Sequence, residues 1–222
     1  MTDSLLYTIA VLGGTGKEGK GLAYRWAKAG YKVIIGSRMP EKAQVTAAEV
    51  TELLGGNASV EGLDNLTAAQ KADIAVLTVP YAAHKDTLLG LKEALQGKIL
   101  VDVTVPLVPP KVTKVQMPPA GSAAQEAVEI LGEGVQVVDA FQNISFEHLM
   151  HGDEIPCDVL VTGTSKAARE EVLKLVEAAG LTGWDAGPIE NSVVVEGLTS
   201  ILIYLNKQYG ATHAGIKLTG IG

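Results

Sequence analysis

Leu6-Tyr7-Thr8-Ile9-Ala10-Val11-Leu12 runs into Gly13-Gly14-Thr15-Gly16-Lys17-Glu18-Gly19, and this junction decides the fold. The opening run is apolar and β-rich, and the stretch from Lys17 to Lys28 has the spacing of a helix that Gly30 ends. A second β-rich run, Lys32-Val33-Ile34-Ile35-Gly36, follows, so residues 7–36 read as one βαβ unit. Within it, Gly14-Thr15-Gly16-Lys17-Glu18-Gly19 fits G-x-G-x-x-G. A glycine-rich chain can produce that spacing by accident, but here it follows a strand directly and opens a helix, as a dinucleotide-binding turn must. Gly14 is expected to permit the turn, Gly16 to let the backbone approach a pyrophosphate, and Gly19 to let the helix pack closely on the strand. The helix N-terminus adds N–H groups and positive potential.

Working outward, Pro40 stands near the first turn of a helix that reaches about Leu54. Further strands are expected at Ser59–Glu61, Asp73–Thr78, Ile99–Val103, Val135–Asp139, Asp158–Val161 and around Thr182–Trp184. Helices are expected at Ala83–Leu95, Ala123–Leu131 and Lys166–Ala179. Continuous apolar strands alternating with helices imply a parallel sheet covered on both faces. The fold class is therefore α/β, a Rossmann-type doubly wound, mostly parallel sheet over residues 1–187, with a small helical C-terminal region at 188–222. Two stretches break the rhythm. Pro106, Pro109, Pro110, Pro118 and Pro119 make residues 104–121 a long connection at a strand's carboxyl end. From Ile189 the period becomes helical, with Val193, Val194, Gly197, Leu198, Ile201, Leu202 and Leu205 on one wide apolar face, then a polar break and Ala211–Ile216. So apolar a terminal helix is expected to pair with a sister chain.

Composition removes several function classes. The 222 residues are 47% hydrophobic and 19% charged, too apolar for a disordered chain, yet without a run long enough for a membrane span. Met1-Thr2-Asp3-Ser4 lacks the basic start of a secretory signal, so a cytoplasmic protein is expected. The net charge of −7, with no Lys/Arg block, argues against nucleic-acid binding. Cys157 is the only cysteine, which excludes an internal disulfide and a thiolate metal cluster and reads as a buried structural thiol.

The end of the second strand selects the dinucleotide. An acidic residue there would hold a ribose 2′-hydroxyl; this chain has Gly36-Ser37-Arg38, with Lys42 four residues on. A hydroxyl and two cations suit a 2′-phosphate, so NADP is expected. The nicotinamide end should lie past later strands, at Thr78-Val79-Pro80-Tyr81 and Thr104-Val105-Pro106. His84 reads as a surface or packing residue. His148 and His151, at an i, i+3 spacing near Glu147 and Asp153, read as a polar loop, and His213 carries no stronger signal, so no metal site is assigned. No Ser-His-Asp or paired-carboxylate pattern stands out at a strand end, and no general acid or base is assigned.

The whole set of motifs resembles the NADP-dependent coenzyme F420 reductase family along nearly the full chain. The residues that carry the resemblance are Val11-Leu12-Gly13-Gly14-Thr15-Gly16 with Gly19-Lys20-Gly21; Gly36-Ser37-Arg38 with Glu41-Lys42-Ala43; Asp73-Ile74-Ala75-Val76-Leu77-Thr78-Val79-Pro80; Asp185-Ala186-Gly187-Pro188; and Gly215-Ile216-Lys217. The resemblance implies that Thr15, Gly16, Lys17 and Glu18 surround the pyrophosphate. It implies further that Ser37, Arg38 and Lys42 hold the 2′-phosphate, and that Val79 and Pro80 border the nicotinamide. The segment Phe141-Gln142-Asn143-Ile144-Ser145-Phe146 matches the part of the family that helps bind the deazaflavin coenzyme F420, with Gln142 where members can carry His. Ala214-Gly215-Ile216 would close the pocket, and the terminal helices would pair in a homodimer. The implied reaction is reversible hydride transfer between NADP(H) and coenzyme F420, with the protein supplying proximity and orientation. Two other readings use the same residues: an NADPH-dependent reductase of a flavin, quinone or imine, with Phe141 and Phe146 against a flat ring, or a regulatory module that senses NADP without turning it over.

Overall fold

A computed structural model describes residues 7–150 and 155–221. His151 and Asp153 lie outside the described residues. Eight strands make one sheet in the order β3-β2-β1-β4-β5-β6-β7-β8. They are β1 (Thr8–Leu12), β2 (Lys32–Ser37), β3 (Val60–Asp64), β4 (Ile74–Leu77), β5 (Ile99–Asp102), β6 (Gln136–Asp139), β7 (Asp158–Gly163) and β8 (Thr182–Pro188). The first six run parallel, and β7 pairs antiparallel with β6 through Val138↔Gly163 and Asp139↔Thr162. β8 then pairs parallel with β7.

Alternation along each strand divides the core in two. Ile9, Val11, Val33, Ile35 and Val76 point to one face, under helices α1 (Lys17–Lys28), α2 (Pro40–Leu53) and α7 (Lys166–Ala178). Ala10, Leu12, Ile34, Ala75 and Leu77 point to the other, under α3 (Asn65–Lys71), α4 (Tyr81–Leu95) and α5 (Ala123–Leu131). Burial on both faces is what a near-continuous apolar strand requires. Asp64, Ser122 and Ser165 cap α3, α5 and α7 by accepting from the backbone N–H of Thr67, Gln125 and Ala168.

Two short helices were not expected from the sequence. α3 is only seven residues long, and α6 (Phe146–Met150) only five, below the length at which a period can be read. α6 covers His148, where a loop was expected. It is held by tertiary contacts: Arg25 of α1 is buried and donates to the carbonyls of Leu149 and His148, both at 2.8 Å. Gly21 supplies the room, since a Cβ there would stand 2.6 Å from Leu149 Cβ.

The C-terminal region departs from the sequence reading in its second half. After a 3-10 turn at Ile189–Asn191, α8 (Ser192–Tyr209) ends at Gly210, whose φ of 65° suits a left-handed helix stop. Residues 211–216 are then irregular, with a bend at Thr212, rather than helical. Their polar groups bond elsewhere: Asp158 N–H donates to the Ile216 carbonyl at 2.7 Å, and Ala214 N–H to Asn206 Oδ1 at 3.0 Å. Gly215 packs on the buried Cys157, whose Cβ lies 2.6 Å from where a Gly215 Cβ would be. Among the described residues, no helix is long and apolar enough to cross a membrane.

Candidate active site

The parallel strands end along one edge of the sheet, and a cavity of about 1090 Å³ opens past their carboxyl ends. At one extreme lie Ser37, Arg38 and Lys42, and in the middle Thr15, Gly16, Lys17, Glu18 and Gly19. Beyond them come Val79, Pro80 and Tyr81, then Gln142, Asn143, Ile144, Ser145 and Phe146, facing Thr199, Leu202, Ile203 and Ala214. Of the sequence-assigned site residues, Gly14, Pro106, Phe141, Gly215 and Ile216 do not line this cavity, and the rest do.

The glycine turn differs in detail from the sequence reading. Gly13, with φ of 72°, is the residue that needs the left-handed conformation, so it makes the turn. Gly14 packs against its own strand, and a Cβ there would meet the Val11 carbonyl oxygen at 2.6 Å. Gly19 packs as closely on the strand as its spacing predicts. A Cβ on Gly19 would stand 2.6 Å from both Gly14 Cα and Thr78 Oγ1, while one on Gly16 would meet only the Gly13 carbonyl oxygen, at 4.0 Å. The turn is tied down by Gly14 N–H donating to the Gly36 carbonyl at 3.0 Å and Gly13 N–H to Asn65 Oδ1 at 3.1 Å. Asn65, on the short helix α3, is a site residue the sequence did not reveal.

No side chain caps α1 at Gly16, so its first N–H groups face the cavity without an internal acceptor. Glu18, half-buried in the cavity wall, has its carboxyl pushed up to about 8 by the loss of solvent there. Arg38 and Lys42 are exposed, and among the described residues no carboxylate pairs with either. Ser37 is buried, and its hydroxyl accepts from Met39 N–H at 3.1 Å, fixing the loop that carries Arg38. These donor sets fit the two phosphate groups of an NADP, one pyrophosphate and one 2′-phosphate.

The far end is walled by α8 and α6. Asn143 donates from Nδ2 to the Val195 carbonyl at 3.0 Å and to Thr199 Oγ1 at 3.1 Å, and Thr199 donates to the Gln142 carbonyl at 2.9 Å. Asn143 therefore fastens α8 to the sheet. Lys17 Nζ sits 4.7 Å from the centroid of the Phe146 ring, joining the glycine turn to α6. Phe141 does not reach the cavity; it is buried edge-on against Trp26 at 5.8 Å. Of the two aromatic residues expected to meet a flat ring, only Phe146 lines the wall.

Behind this wall lies a buried polar cluster, contrary to the expectation of no paired carboxylates at strand ends. Asp102 and Asp139 end neighbouring strands as direct register partners, and both are fully buried. His84, also fully buried, donates from Nε2 to Asp102 Oδ2 at 2.6 Å. Burial would lower the imidazole pKa, but Asp102, Glu126 and Glu196 together outweigh it and hold it above the ordinary value. Glu196 of α8 accepts from the N–H groups of Ala123 and Ala124 at 2.7 and 3.0 Å, which clamps α8 onto the start of α5. Burial pushes Glu196 up to about 8 against those donors, and burial with the Glu196 and Asp102 charges raises Asp139 well above the usual range.

Comparison with known proteins agrees with this architecture. A family model described as NADP oxidoreductase, coenzyme F420-dependent, matches residues 8–106. The chain is 40% identical to the F420-dependent NADP reductase of Methanocaldococcus jannaschii over 221 residues, 96% of this chain and 98% of that protein. It is also 40% identical to the F420-dependent NADP reductase of Methanothermobacter thermautotrophicus, over 100% of this chain and 98% of that one. A crystal structure from Arthrobacter sp. FB24, assigned as an F420-dependent NADP reductase, superposes with a TM-score of 0.79 at 27% identity, covering 96% of this chain and 100% of that one. With 40% identity over nearly the full length of both chains, the chain belongs to the F420-dependent NADP reductase family.

Proposed function

We propose that this protein is an oxidoreductase that transfers a hydride reversibly between NADP(H) and coenzyme F420. The observation that supports the reading is one continuous cavity that runs from Arg38 and Lys42, past the glycine turn, to a wall formed by Gln142–Phe146 and α8. When bound, the nicotinamide and the deazaflavin supply the hydride donor and acceptor. The chain's own residues bind, orient and exclude water. The α1 N-terminus and Gly16 seat the pyrophosphate, Ser37, Arg38 and Lys42 hold the 2′-phosphate, and Val79 and Pro80 give the nicotinamide an apolar border. Gln142, Asn143, Ile144 and Ala214 border the second ring. Positioning is the catalytic device of this site, and no side chain is assigned as acid or base.

Residues 188–222 close the site and, in this reading, pair two chains. Val194, Ile201, Tyr204, Leu205 and Tyr209 of α8 are exposed apolar side chains, which supports a homodimer through this helix. The partners are thus small redox coenzymes and a second copy, and the setting is cytoplasmic. The test is stopped-flow absorbance of the protein with NADPH and oxidised coenzyme F420, with NADH and FMN in parallel. Bleaching of the deazaflavin band with NADPH is expected; tight NADPH binding with no bleaching would refute the reading.

A further inference from the structure

The polar cluster behind the cavity wall brings together more carboxyl groups than a protein interior can hold ionised. Asp102, Asp139 and Glu196 are fully buried there, with one imidazole, His84, equally buried. Even with His84 charged, three ionised carboxyl groups would leave two net negative charges out of water, a state that buried acids avoid by keeping a proton. The contacts say which pair keeps it. Asp102 is matched to His84 at 2.6 Å. Glu196 and Asp139 bond side chain to side chain, and two carboxyl groups do so only through a shared proton. The cluster also lies close behind the cavity lining. Asp102 is the register partner of Leu77, from which the chain runs on to Val79 and Pro80. Thr104 lines the cavity, and its N–H donates to Asp102 Oδ1 at 3.0 Å while its hydroxyl donates to the Val79 carbonyl at 3.4 Å. Two further titratable groups face His84. Glu126 of α5 stands with Oε2 3.4 Å from Nδ1, and Tyr81 of α4 bonds to Glu126. The Glu126 side chain is partly exposed, which gives the cluster exchange with bulk water.

We infer that the Asp139 and Glu196 carboxyl pair is a proton-binding site that acts as counter-ion to the nicotinamide, holding its proton beside neutral NADPH and releasing it to solvent beside cationic NADP⁺. The inference rests on the reading that Val79 and Pro80 border the nicotinamide. Loss of a hydride leaves one positive charge on that ring, and loss of the proton leaves one negative charge on the pair, so the two charges balance across the wall. No bond to a substrate forms or breaks at the pair, and it acts on the ring through charge alone. A unit charge roughly 10 Å away, at an effective dielectric of about 20, shifts such an equilibrium about tenfold, or about one pKa unit. NADP⁺ favours the deprotonated pair. Its affinity relative to NADPH therefore rises with pH through the range in which the pair titrates, with Glu196 at about 8. In the direction of deazaflavin reduction, the ring that receives the hydride needs one further proton, and the pair sets one free in the same step.

Equilibrium binding of NADP⁺ and of NADPH from about pH 6 to about pH 9 tests this without turnover, with proton release read from an indicator dye in weak buffer. The 2′-phosphate is common to both coenzymes and cancels in the comparison. Near pH 7.5, NADP⁺ is expected to release about half a proton more than NADPH. The ratio of NADP⁺ to NADPH affinity is expected to rise about tenfold over the whole range. Glu196→Gln and Asp139→Asn are each expected to flatten both differences. Equal proton release and parallel affinities for the two coenzymes overturn the inference on the wild-type protein alone, whether or not the variants fold, and leave the NADP reading standing. Glu18 lines the same cavity and is also raised to about 8, so it is the competing source of a proton. A difference that vanishes in Glu18→Gln and persists in Glu196→Gln would place the proton there and overturn the inference. Binding of neither coenzyme would sink the NADP reading and this inference with it.

Discussion

Arg38 is the residue we propose to discriminate between the two nicotinamide coenzymes, because it is an exposed guanidinium just past the end of β2, lining the cavity where an acid would hold a ribose hydroxyl. In that proposal a charge-assisted contact with a 2′-phosphate would contribute about 1.5–3 kcal/mol. Arg38→Ala is expected to weaken NADPH binding roughly 10- to 100-fold and NADH binding hardly at all. Titration of coenzyme fluorescence with both coenzymes checks it; equal losses would place the phosphate elsewhere. Lys42 lies one helical turn on, at the start of α2, and adds a second cation to the same end of the cavity.

At the scale of elements, the cavity wall that we propose borders the second ring depends on how α6 seats against α1. Gly21 makes the close approach possible, and Arg25 closes the carbonyls of α6 from below. A larger side chain at position 21 must push Leu149 outward, and Phe146 with it, at a strain cost of about 1–3 kcal/mol. Gly21→Val is expected to raise the KM for coenzyme F420 several-fold while the affinity for NADPH stays near wild type, because the glycine turn at 13–19 is untouched. Parallel steady-state and binding measurements separate the two; a loss confined to NADPH would contradict the assignment of α6 to the second ring.

For the whole molecule, two expectations follow from α8. Its outward face carries Val194, Ile201 and Leu205, whereas Leu202 lines the cavity, so the outward residues are the ones to alter. Ile201→Asp with Leu205→Asp is expected to turn a dimer into a monomer by light scattering, and an unchanged mass for both proteins would refute pairing through this helix. Its inward face carries Glu196 into the buried cluster. The folded state holds protons on Glu196 up to about 8 and on Asp139 well above 3.8, while the unfolded chain releases them near 4.5 and 3.8. The folded state thus binds more protons above about pH 4, and stability falls as pH rises through this window. His84, raised above 6.5, acts in the same direction. Tm is expected to fall by roughly 5 °C between about pH 5.5 and pH 8.5, and Glu196→Gln to flatten that slope. Scanning calorimetry decides it, a Tm that rises over the range being the contrary result.

Much of this protein is legible along the chain, because the features involved are local. The βαβ unit, the glycine turn and the Ser37-Arg38 end of β2 are each set within a few residues, by strand period, helix period and the chemistry of one side chain. The apolar α8 is likewise evident from its own spacing. What tertiary structure alone decides is what meets across elements. The register of β5 on β6 sets Asp102 beside Asp139, and the packing of α4 and α8 adds His84 and Glu196; no spacing in sequence announces that cluster. The same contacts turn the Gln142 amide so that its oxygen alone is left over. The irregular course of residues 211–216 follows the same rule, since their apolar spacing suits a helix, but Asp158 and the space beside Cys157 offer bonds and burial that a helix would forgo.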